Sequence, residues 1–298
     1  MVGGVIIKGQ IRKALSGFYY IYSEGITYQT RARGNFRNRN ITPLVGDDVI
    51  FESSNLTDGY LLEVLPRENE LVRPPVANVD QGVVVTSLIE PNFSYNLLDR
   101  FLVTLENKGI EPIIYLSKTD LDPTNPLIEE IKQVYEAIGY TVIVPKKDQG
   151  IRALEQLFPE KLTVFMGQSG AGKSTLLNQL APDLDLATAE ISESLGRGKH
   201  TTRHVELLPM YEGLVADTPG FSAIEFLEIP AVELPREFPE FVAAAAKCKF
   251  RECMHVKEPS CEVKRQVEAN EIAQSRYDNY KQFLQEIENK RPIYKKKK

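Results

Sequence analysis

The chain has 298 residues, of which 42% are hydrophobic and 26% are charged, and its formal net charge is −5. This composition is ordinary for a soluble globular protein with two or three domains. No apolar run reaches the roughly 18–20 residues that a membrane span requires, and residues 1–10 lack the pattern of a secretory signal. We therefore expect a cytoplasmic protein without a membrane partner.

The first part of the chain is predicted to be all-β. Apolar stretches predict strands at residues 2–8, 18–23, 26–31, 48–52 and 60–65. Turn residues, among them Gly9, Ser16-Gly17 and Asp58-Gly59, separate these stretches, and no helical periodicity is visible. Five short strands favour a small barrel of the OB type, although an SH3-like barrel would give nearly the same pattern. We assign residues 1–66 to this barrel.

The pattern changes to α/β alternation from Gly82 onward. Strands are predicted at residues 82–89, 112–116, 141–144, 162–166, 205–208 and 214–216, with helices at 94–108, 126–138, 150–158 and 173–180. This alternation indicates a mainly parallel sheet covered on both faces. We assign residues 67–228 to this α/β domain. A helix at 239–247 and a long amphipathic stretch from 261 to about 290 then predict a helical domain over residues 229–298.

A phosphate-binding loop lies between the predicted strand 162–166 and the predicted helix 173–180. Residues 167–174, GQSGAGKS, fit the pattern G-x-x-x-x-G-K-[ST]. The glycines let backbone N–H groups converge on phosphate oxygens, Lys173 neutralises phosphate charge, and the Ser174 hydroxyl binds Mg²⁺. The predicted nucleotide-binding residues here are Gly167, Gln168, Ser169, Gly170, Ala171, Gly172, Lys173, Ser174 and Thr175.

A D-x-x-G motif follows the predicted strand 214–216. Asp217 is expected to support Mg²⁺ through a water, and the Gly220 N–H to contact the γ-phosphate. Between the two motifs, residues 196–203 read GRGKHTTR, and Thr201 or Thr202 is the candidate for a second hydroxyl ligand of Mg²⁺. A flexible basic loop without a metal role is the alternative. The predicted catalytic residues are Lys173, Thr201, Thr202, Asp217 and Gly220.

A guanine-reading motif precedes the phosphate-binding loop instead of following it. Residues 117–120, Ser117-Lys118-Thr119-Asp120, match N-K-x-D at Lys and Asp and come directly after a predicted strand. The Asp120 carboxylate can accept hydrogen bonds from the guanine N1–H and 2-amino group, and the Lys118 stem covers the base. A helix-capping Asp is the alternative. The motif order predicts a circularly permuted G domain, which a sheet tolerates because new termini in surface loops keep its strand neighbours.

All three cysteines lie within fourteen residues of each other, as Cys248, Cys253 and Cys261, together with His255. Three cysteines and one histidine suit a closed, tetrahedral, structural Zn²⁺ site. Buried cysteines beside a surface histidine are the alternative.

Positive charge is concentrated at the two ends of the chain. Residues 1–62 carry a net charge of +2 and residues 247–298 a net charge of +6, so the centre carries −13. In the barrel, Arg31, Arg33, Arg37 and Arg39 surround Phe36, a combination that resembles an RNA contact. A plain charged loop is the alternative.

With these motifs in view, the whole chain resembles the ribosome small subunit-dependent GTPase A (RsgA) family. The resemblance implies a factor that binds the small ribosomal subunit and its rRNA, acts late in 30S maturation, and hydrolyses GTP slowly until the subunit stimulates it. It also implies GTP and GDP as ligands, Mg²⁺ with GTP, and structural Zn²⁺; we expect a monomer. The chain departs from the family at Ser117, which replaces Asn and removes an expected contact near the base. The last guanine-loop motif is also degenerate at residues 144–148.

Phe221 stands where Ras-like enzymes carry the glutamine that orients the attacking water. We therefore expect slow unassisted turnover. His200 and His204 are candidates for a group brought near the γ-phosphate. Two other functions stay open at this point: a P-loop kinase or ATPase of another class, and an RNA-binding zinc module with a nucleotide switch and negligible turnover.

Overall fold

The computed structural model describes residues 5–33, 36, 41–145, 149–182, 205–217 and 229–290, with the backbone alone for Gln149 and Asp217. The first five strands are β1 (Val5–Leu15), β2 (Phe18–Ser23), β3 (Ile26–Ala32), β4 (Asp48–Ser53) and β5 (Gly59–Val64). They pair in the order β1-β2-β3-β5-β4, and β4 pairs back to β1. The five strands therefore close into the small barrel that the sequence predicts.

The first strand is longer than predicted, and its glycine is not a break. β1 continues through Gly9 to Leu15, whereas the prediction ended it at residue 8. A Cβ on Gly9 would lie 2.6 Å from the Tyr22 backbone oxygen and 2.7 Å from the Ile21 side chain. The glycine thus permits a close approach between β1 and β2. The strand can then pair with β4 along its first half and with β2 along its second half.

The α/β domain is built on parallel strands that are buried on both faces. Its strands are β8 (Gln81–Ser87), β9 (Glu111–Ser117), β10 (Thr141–Ile143), β11 (Leu162–Met166), β12 (Glu206–Met210) and β13 (Gly213–Asp217), after a short linker hairpin of β6 (Glu70–Leu71) and β7 (Val76–Ala77). Their order is β10-β9-β8-β11-β13-β12. Strands β8 to β11 and β13 run parallel, and β12 is antiparallel to β13.

Helices cover this sheet on both sides and place its core around the central strands. They are α1 (Tyr95–Glu106), α2 (Pro126–Glu136), α3 (Gln149–Glu155) and α4 (Lys173–Leu180). The side chain of Ser94 caps α1, and that of Asn125 caps α2 with Pro126 in its first turn, as helix starts favour. All seven residues of β8 are buried. The parallel sheet covered by helices is the α/β fold that the sequence predicts.

The barrel and the α/β sheet form one continuous sheet of eleven strands. The connection is β12, which pairs with β13 on one side and with β1 of the barrel on the other. The sequence analysis did not predict this connection. Pairing between β1 and β12 joins residues 193 positions apart, and such a pairing leaves no local signal.

The C-terminal region consists of a 3-10 helix (Leu234–Glu237) and three helices, α5 (Pro239–Ala245), α6 (Glu262–Glu268) and α7 (Gln274–Asn289). The predicted stretch from 261 to about 290 is therefore two helices. The chain turns between them because Asn270 adopts a left-handed φ of 57°, which ends α6. Aromatic side chains, among them Phe238, Phe241 and Tyr280, pack between these helices. No helix in the described part of the chain is long and apolar enough to pass through a membrane.

A buried ionic network joins the C-terminal helices to the α/β domain. Arg276 of α7 donates to Asp99 of α1 at 2.7 Å and to both carboxylate oxygens of Glu240 in α5 at 2.7 and 3.1 Å. Asn279 and Tyr135 also donate to Asp99, at 2.6 and 2.8 Å. Burial alone would lower the pKa of Arg276, but its two carboxylate partners outweigh burial and raise it. Arg276 is therefore charged although only 1% of its surface is exposed.

Candidate nucleotide site and metal centre

The predicted nucleotide motifs meet at the carboxyl ends of neighbouring parallel strands. The phosphate-binding loop follows β11, and the guanine motif begins at the end of β9, with β8 between them. From β8 the chain continues to β9 and β10 on one side, whereas β11 and β13 lie on the other. Such a reversal of strand order opens a crevice where α/β proteins commonly bind their ligands.

Glycines give the phosphate-binding loop its shape. Gly167 has a φ of 139°, and a Cβ there would lie 2.1 Å from the Val85 backbone oxygen of β8. Gly172 has a φ of 90° and caps α4 without any side-chain hydrogen bond to the amides of the first turn. The amides at the start of α4 therefore have no competing side-chain acceptor at the cap and suit a phosphate group.

Lys173 lies inside this loop. Its Nζ donates to the backbone oxygens of Gly167 at 2.5 Å and Gln168 at 2.8 Å. Burial lowers the pKa of Lys173 to about 8. A phosphate group beside the ammonium would favour the charged form and reverse this shift. Ser174 follows in the first turn of α4 and is half-buried, and Thr175 is exposed.

Ser117 connects the guanine motif to the phosphate-binding loop. Its hydroxyl donates to the Ala171 backbone oxygen at 2.5 Å and lies 3.3 Å from the Thr86 backbone oxygen. The sequence analysis associated Ser117 with the loss of a contact near the base. The structure gives this short side chain a contact of its own, because β9 ends close enough to the loop for a hydroxyl to reach it.

A turn that the sequence analysis missed lies beside both motifs. The Lys118 ammonium donates to the Glu90 backbone oxygen in the turn after β8. Lys118 itself has a left-handed φ of 57°. The neighbouring Pro91 lies 3.7 Å from the position of a Cβ on Gly170 in the phosphate-binding loop. Only the proline marks this turn in the sequence, and a proline alone does not assign a binding site.

The last two residues of the guanine motif differ in exposure. Thr119 is buried, and its hydroxyl lies 3.4 Å from the Pro145 backbone oxygen, in the segment where the last guanine-loop motif is expected. Asp120 is exposed, which leaves its carboxylate available to a base. Burial, and then the charge of Asp120, raise the pKa of Tyr115 to about 12, so this phenol is neutral at physiological pH.

The residues that the sequence predicts to act in hydrolysis are described only in part. β13 ends at Asp217, and the backbone of Asp217 pairs with Glu206 of β12. Several predicted residues lie outside the described part of the chain: Thr201, Thr202, Gly220, Phe221, His200, His204, residues 146–148, Arg37 and Arg39.

The three cysteines and His255 come together as predicted. Their four ligand atoms lie within 4.8 Å of one another, and His255, Cys253 and Cys261 are buried. The His255 Nδ1 is 3.8 Å from the Cys248 Sγ and 3.4 Å from the Cys261 Sγ. Tyr277 donates to the His255 backbone oxygen at 2.8 Å and so holds the loop against α7.

The donor atoms of this cluster, rather than the charge of the free side chains, fit a bound cation. Burial raises the pKa of Cys253 to about 12 and lowers that of His255. Burial therefore favours neutral thiols and a neutral imidazole, and a divalent ion would convert the thiols to thiolate ligands. Three sulfur atoms and one nitrogen atom suit a closed tetrahedral site, with no position left for a reactive water.

Comparisons with known proteins cover nearly the whole chain. Family models described as RsgA N-terminal domain, RsgA GTPase and 50S ribosome-binding GTPase match residues 8–61, 64–227 and 163–293. The small ribosomal subunit biogenesis GTPase RsgA of Enterococcus faecalis is 75% identical over 98% of this chain and 99% of its own length. The RsgA 2 protein of Listeria innocua is 58% identical over 97% of this chain and 100% of its own.

Solved structures show the same architecture. YloQ, a circularly permuted GTPase, is 45% identical, with a TM-score of 0.82 over 97% of this chain and 98% of that chain. YjeQ from Thermotoga maritima is 33% identical, with a TM-score of 0.83 over 96% of this chain and 100% of that chain. The permuted G domain expected from the motif order is thereby confirmed.

Proposed function

Because the chain belongs to the RsgA GTPase family, we propose that it hydrolyses GTP as a biogenesis factor of the small ribosomal subunit, late in 30S maturation. The observation that carries this proposal is the hydrogen bond from Ser117 to Ala171, which joins the guanine motif to the phosphate-binding loop in one crevice. A model described as 50S ribosome-binding GTPase matches residues 163–293 alone. The relatives named for the small subunit span nearly the whole chain, so we follow them.

In the proposed reaction, the residues of the crevice bind and orient GTP for attack by water. The amides at the start of α4 hold phosphate oxygens, and Lys173 places its charge beside them. Ser174 and Asp217, with Thr201 or Thr202, would hold Mg²⁺ at the phosphates. When bound, Mg²⁺ neutralises charge that develops between the β- and γ-phosphates. With Phe221 unable to orient water, we propose slow turnover by the isolated chain.

We expect Asp120→Asn to shift nucleotide preference from guanine toward xanthine. The carboxylate accepts two hydrogen bonds from guanine, whereas an amide can donate to the 2-carbonyl of xanthine. Affinities for GTP and XTP, measured by competition with a fluorescent GDP analogue, test this. Asp122→Asn, two residues further along, is the matched control. Unchanged affinities in the Asp120 variant would mean that this motif does not read the base, and would reopen the kinase or ATPase alternative.

A stripe on the outside of the barrel supports rRNA as the partner. Side chains directly opposite each other on paired strands point to the same face of a sheet. Strand register places five residues in one row across the barrel: Ile6, Glu52, Tyr60, Arg31 and Phe18.

Two arginines contact aromatic rings here, Arg31 within the stripe and Arg33 beside it. The Arg31 guanidinium lies 4.5 Å from the ring centroid of the half-buried Phe18, and Tyr60 is 48% exposed beneath Arg33, which also pairs with Glu52 of the stripe. Arginine with exposed aromatic rings suits phosphates and unstacked bases. This stripe lies beside the predicted cluster around Phe36. The described Phe36 is buried, whereas Tyr60 is exposed and Phe18 is half-buried, so Tyr60 is the ring of this stripe that is open to an unstacked base.

We expect small ribosomal subunits to raise GTP turnover of the parent chain, and the double variant Arg31→Ala/Tyr60→Ala to lose most of this stimulation. Phosphate release is measured against subunit concentration at two salt concentrations, because phosphate contacts weaken steeply with salt. Arg152→Ala, which removes an exposed arginine from α3, is the control. A parent that no subunit preparation stimulates would contradict the ribosomal role. Hydrolysis without any multiple turnover would favour the nucleotide-switch alternative.

For the Cys248, Cys253, His255 and Cys261 cluster we propose Zn²⁺ as the metal and a structural role. The donor set and its closed geometry support this choice. We also propose the units 1–66, 67–228 and 229–298 as the barrel, the permuted G domain and the zinc-binding domain. A monomeric, cytoplasmic protein is part of the same proposal.

A further inference from the structure

A single row of residues crosses from the barrel to the strand that ends at Asp217. Lys13 of β1 pairs with Glu206 of β12, and Glu206 pairs with Asp217 of β13. The barrel is thus two strand positions away from the residue proposed to support Mg²⁺. In the described part of the chain, Lys13 and Glu206 are the one registered residue pair between β1 and β12.

The side chains reinforce this pair. The Lys13 Nζ lies 2.6 Å from a Glu206 carboxylate oxygen, with the two side chains 30% and 34% exposed. The register between β1 and β2 shifts between Ile11 and Lys13. A β-bulge of this kind redirects a side chain. Arg12 lies at the bulge, and its guanidinium carbon is 3.6 Å from the Tyr22 ring centroid. This contact holds the bulge against β2 of the barrel.

We propose that the Lys13–Glu206 ion pair positions the Asp217 end of β13, so that the barrel takes part in setting the Mg²⁺ dependence of GTP hydrolysis. This inference rests on the proposed GTPase function. β12 has β13 on one side and β1 on the other, so a shift of its Glu206 end also shifts the strand that leads into the D-x-x-G motif. Lys13 and Glu206 are positioning residues, because neither needs to touch the nucleotide.

The same sheet offers a matched control pair. The Lys161 Nζ lies 2.6 Å from a Glu111 carboxylate oxygen, also on the surface. Glu111 begins β9, and Lys161 directly precedes β11. This pair therefore lies at the amino ends of these parallel strands, and the nucleotide crevice lies at their carboxyl ends. Exposed ion pairs contribute little to folding stability. All variants are therefore expected to fold, which thermal unfolding verifies.

The experiment compares Mg²⁺ titrations of the isolated full chain with two readouts, the rate of GTP hydrolysis and the affinity for a fluorescent non-hydrolysable GTP analogue. The variants are Lys13→Met, Glu206→Gln, the exchanged pair Lys13→Glu/Glu206→Lys, and the control Lys161→Met. We expect the single variants at the junction to raise the Mg²⁺ concentration for half-maximal rate by about two- to fivefold, where fivefold is the limit set by the loss of about 1 kcal/mol in one surface ion pair. We expect the exchanged pair to recover most of this loss and the control to match the parent.

The outcomes separate this inference from the proposed function. A parent that hydrolyses GTP, with junction variants that titrate like the control, overturns the inference and leaves the function intact. A shift in the exchanged pair as large as in the single variants also overturns it, because the ion pair is then not the cause. A parent without hydrolysis overturns the proposed function and this inference with it.

Discussion

Replacing Lys173 with alanine is expected to abolish measurable GTP hydrolysis. The Lys173 ammonium is held by two carbonyl oxygens inside the phosphate-binding loop, and no other side chain there brings a positive charge in the motif. Loss of one well-placed donor at a developing anion typically lowers a rate about 10²–10³-fold, and here a full charge is lost as well. The measurement is phosphate release under multiple-turnover conditions.

The same variant should remain folded. Burial lowers the pKa of Lys173 from 10.5 to about 8, so the unfolded chain binds this proton more tightly than the folded chain. Between about pH 8 and pH 10.5 the free energy of unfolding therefore rises with pH. At neutral pH the charged lysine opposes folding. Lys173→Ala removes this unfavourable charge together with the two hydrogen bonds to the loop carbonyls, so we expect the variant to remain folded at pH 7, which thermal unfolding verifies. Lys132→Ala on α2 is the control for activity, and a Lys173 variant that keeps more than a tenth of the parent rate would contradict this active site.

Replacing Arg276 with methionine is expected to cause the largest loss of stability. Methionine keeps much of the volume but leaves Asp99 and Glu240, which are 0% and 8% exposed, without their cation. Removal of one partner from a buried ion pair costs about 3–5 kcal/mol. Because the network joins α1 and α2 to α5 and α7, the two domains should separate more readily as well.

Urea denaturation with zinc present in excess measures this effect. The chain has 13 tyrosines and no tryptophan, so tyrosine fluorescence reports the transition, and Tyr135 and Tyr280 are buried within or near the network. Arg265→Met is the matched control, because Arg265 is 53% exposed in its ion pair with Glu262, and it should change stability by less than about 1 kcal/mol. An equal effect for both variants would show that the buried network is not what joins the domains.

The sequence predicts short local motifs well, but it does not predict contacts between residues that are far apart in the chain. The phosphate-binding loop, the guanine motif and the cysteine cluster each lie within a short segment, and their residue types follow from chemistry that acts locally. Their meeting in one crevice follows from parallel strands whose carboxyl ends share an edge. The fold class could therefore be predicted from the pattern of strands and helices.

The contacts that the sequence does not predict join distant segments. Glycine is typical of turns, and only the close approach of β2 shows that Gly9 lies within a strand. The pairing of Lys13 with Glu206 and of Arg276 with Asp99 spans 193 and 177 positions. Neither pair differs in type from ordinary surface charges, so nothing in a single sequence distinguishes them before the fold brings them together.

The position of β8 in the sheet has a consequence for the order in which the chain is synthesised. Val83, Val84 and Val85 of this strand are fully buried, between β9 on one side and β11 on the other. β9 follows soon after β8 and ends at Ser117, whereas β11 ends only at Met166. A growing chain therefore exposes one edge of β8 until some eighty residues after the end of β8 have been added. The barrel strands β1 to β5, by contrast, are complete once Val64 has left the exit tunnel. Because unpaired apolar edges are prone to aggregation, the permuted motif order leaves one edge of β8 open to intermolecular pairing until β11 has been synthesised.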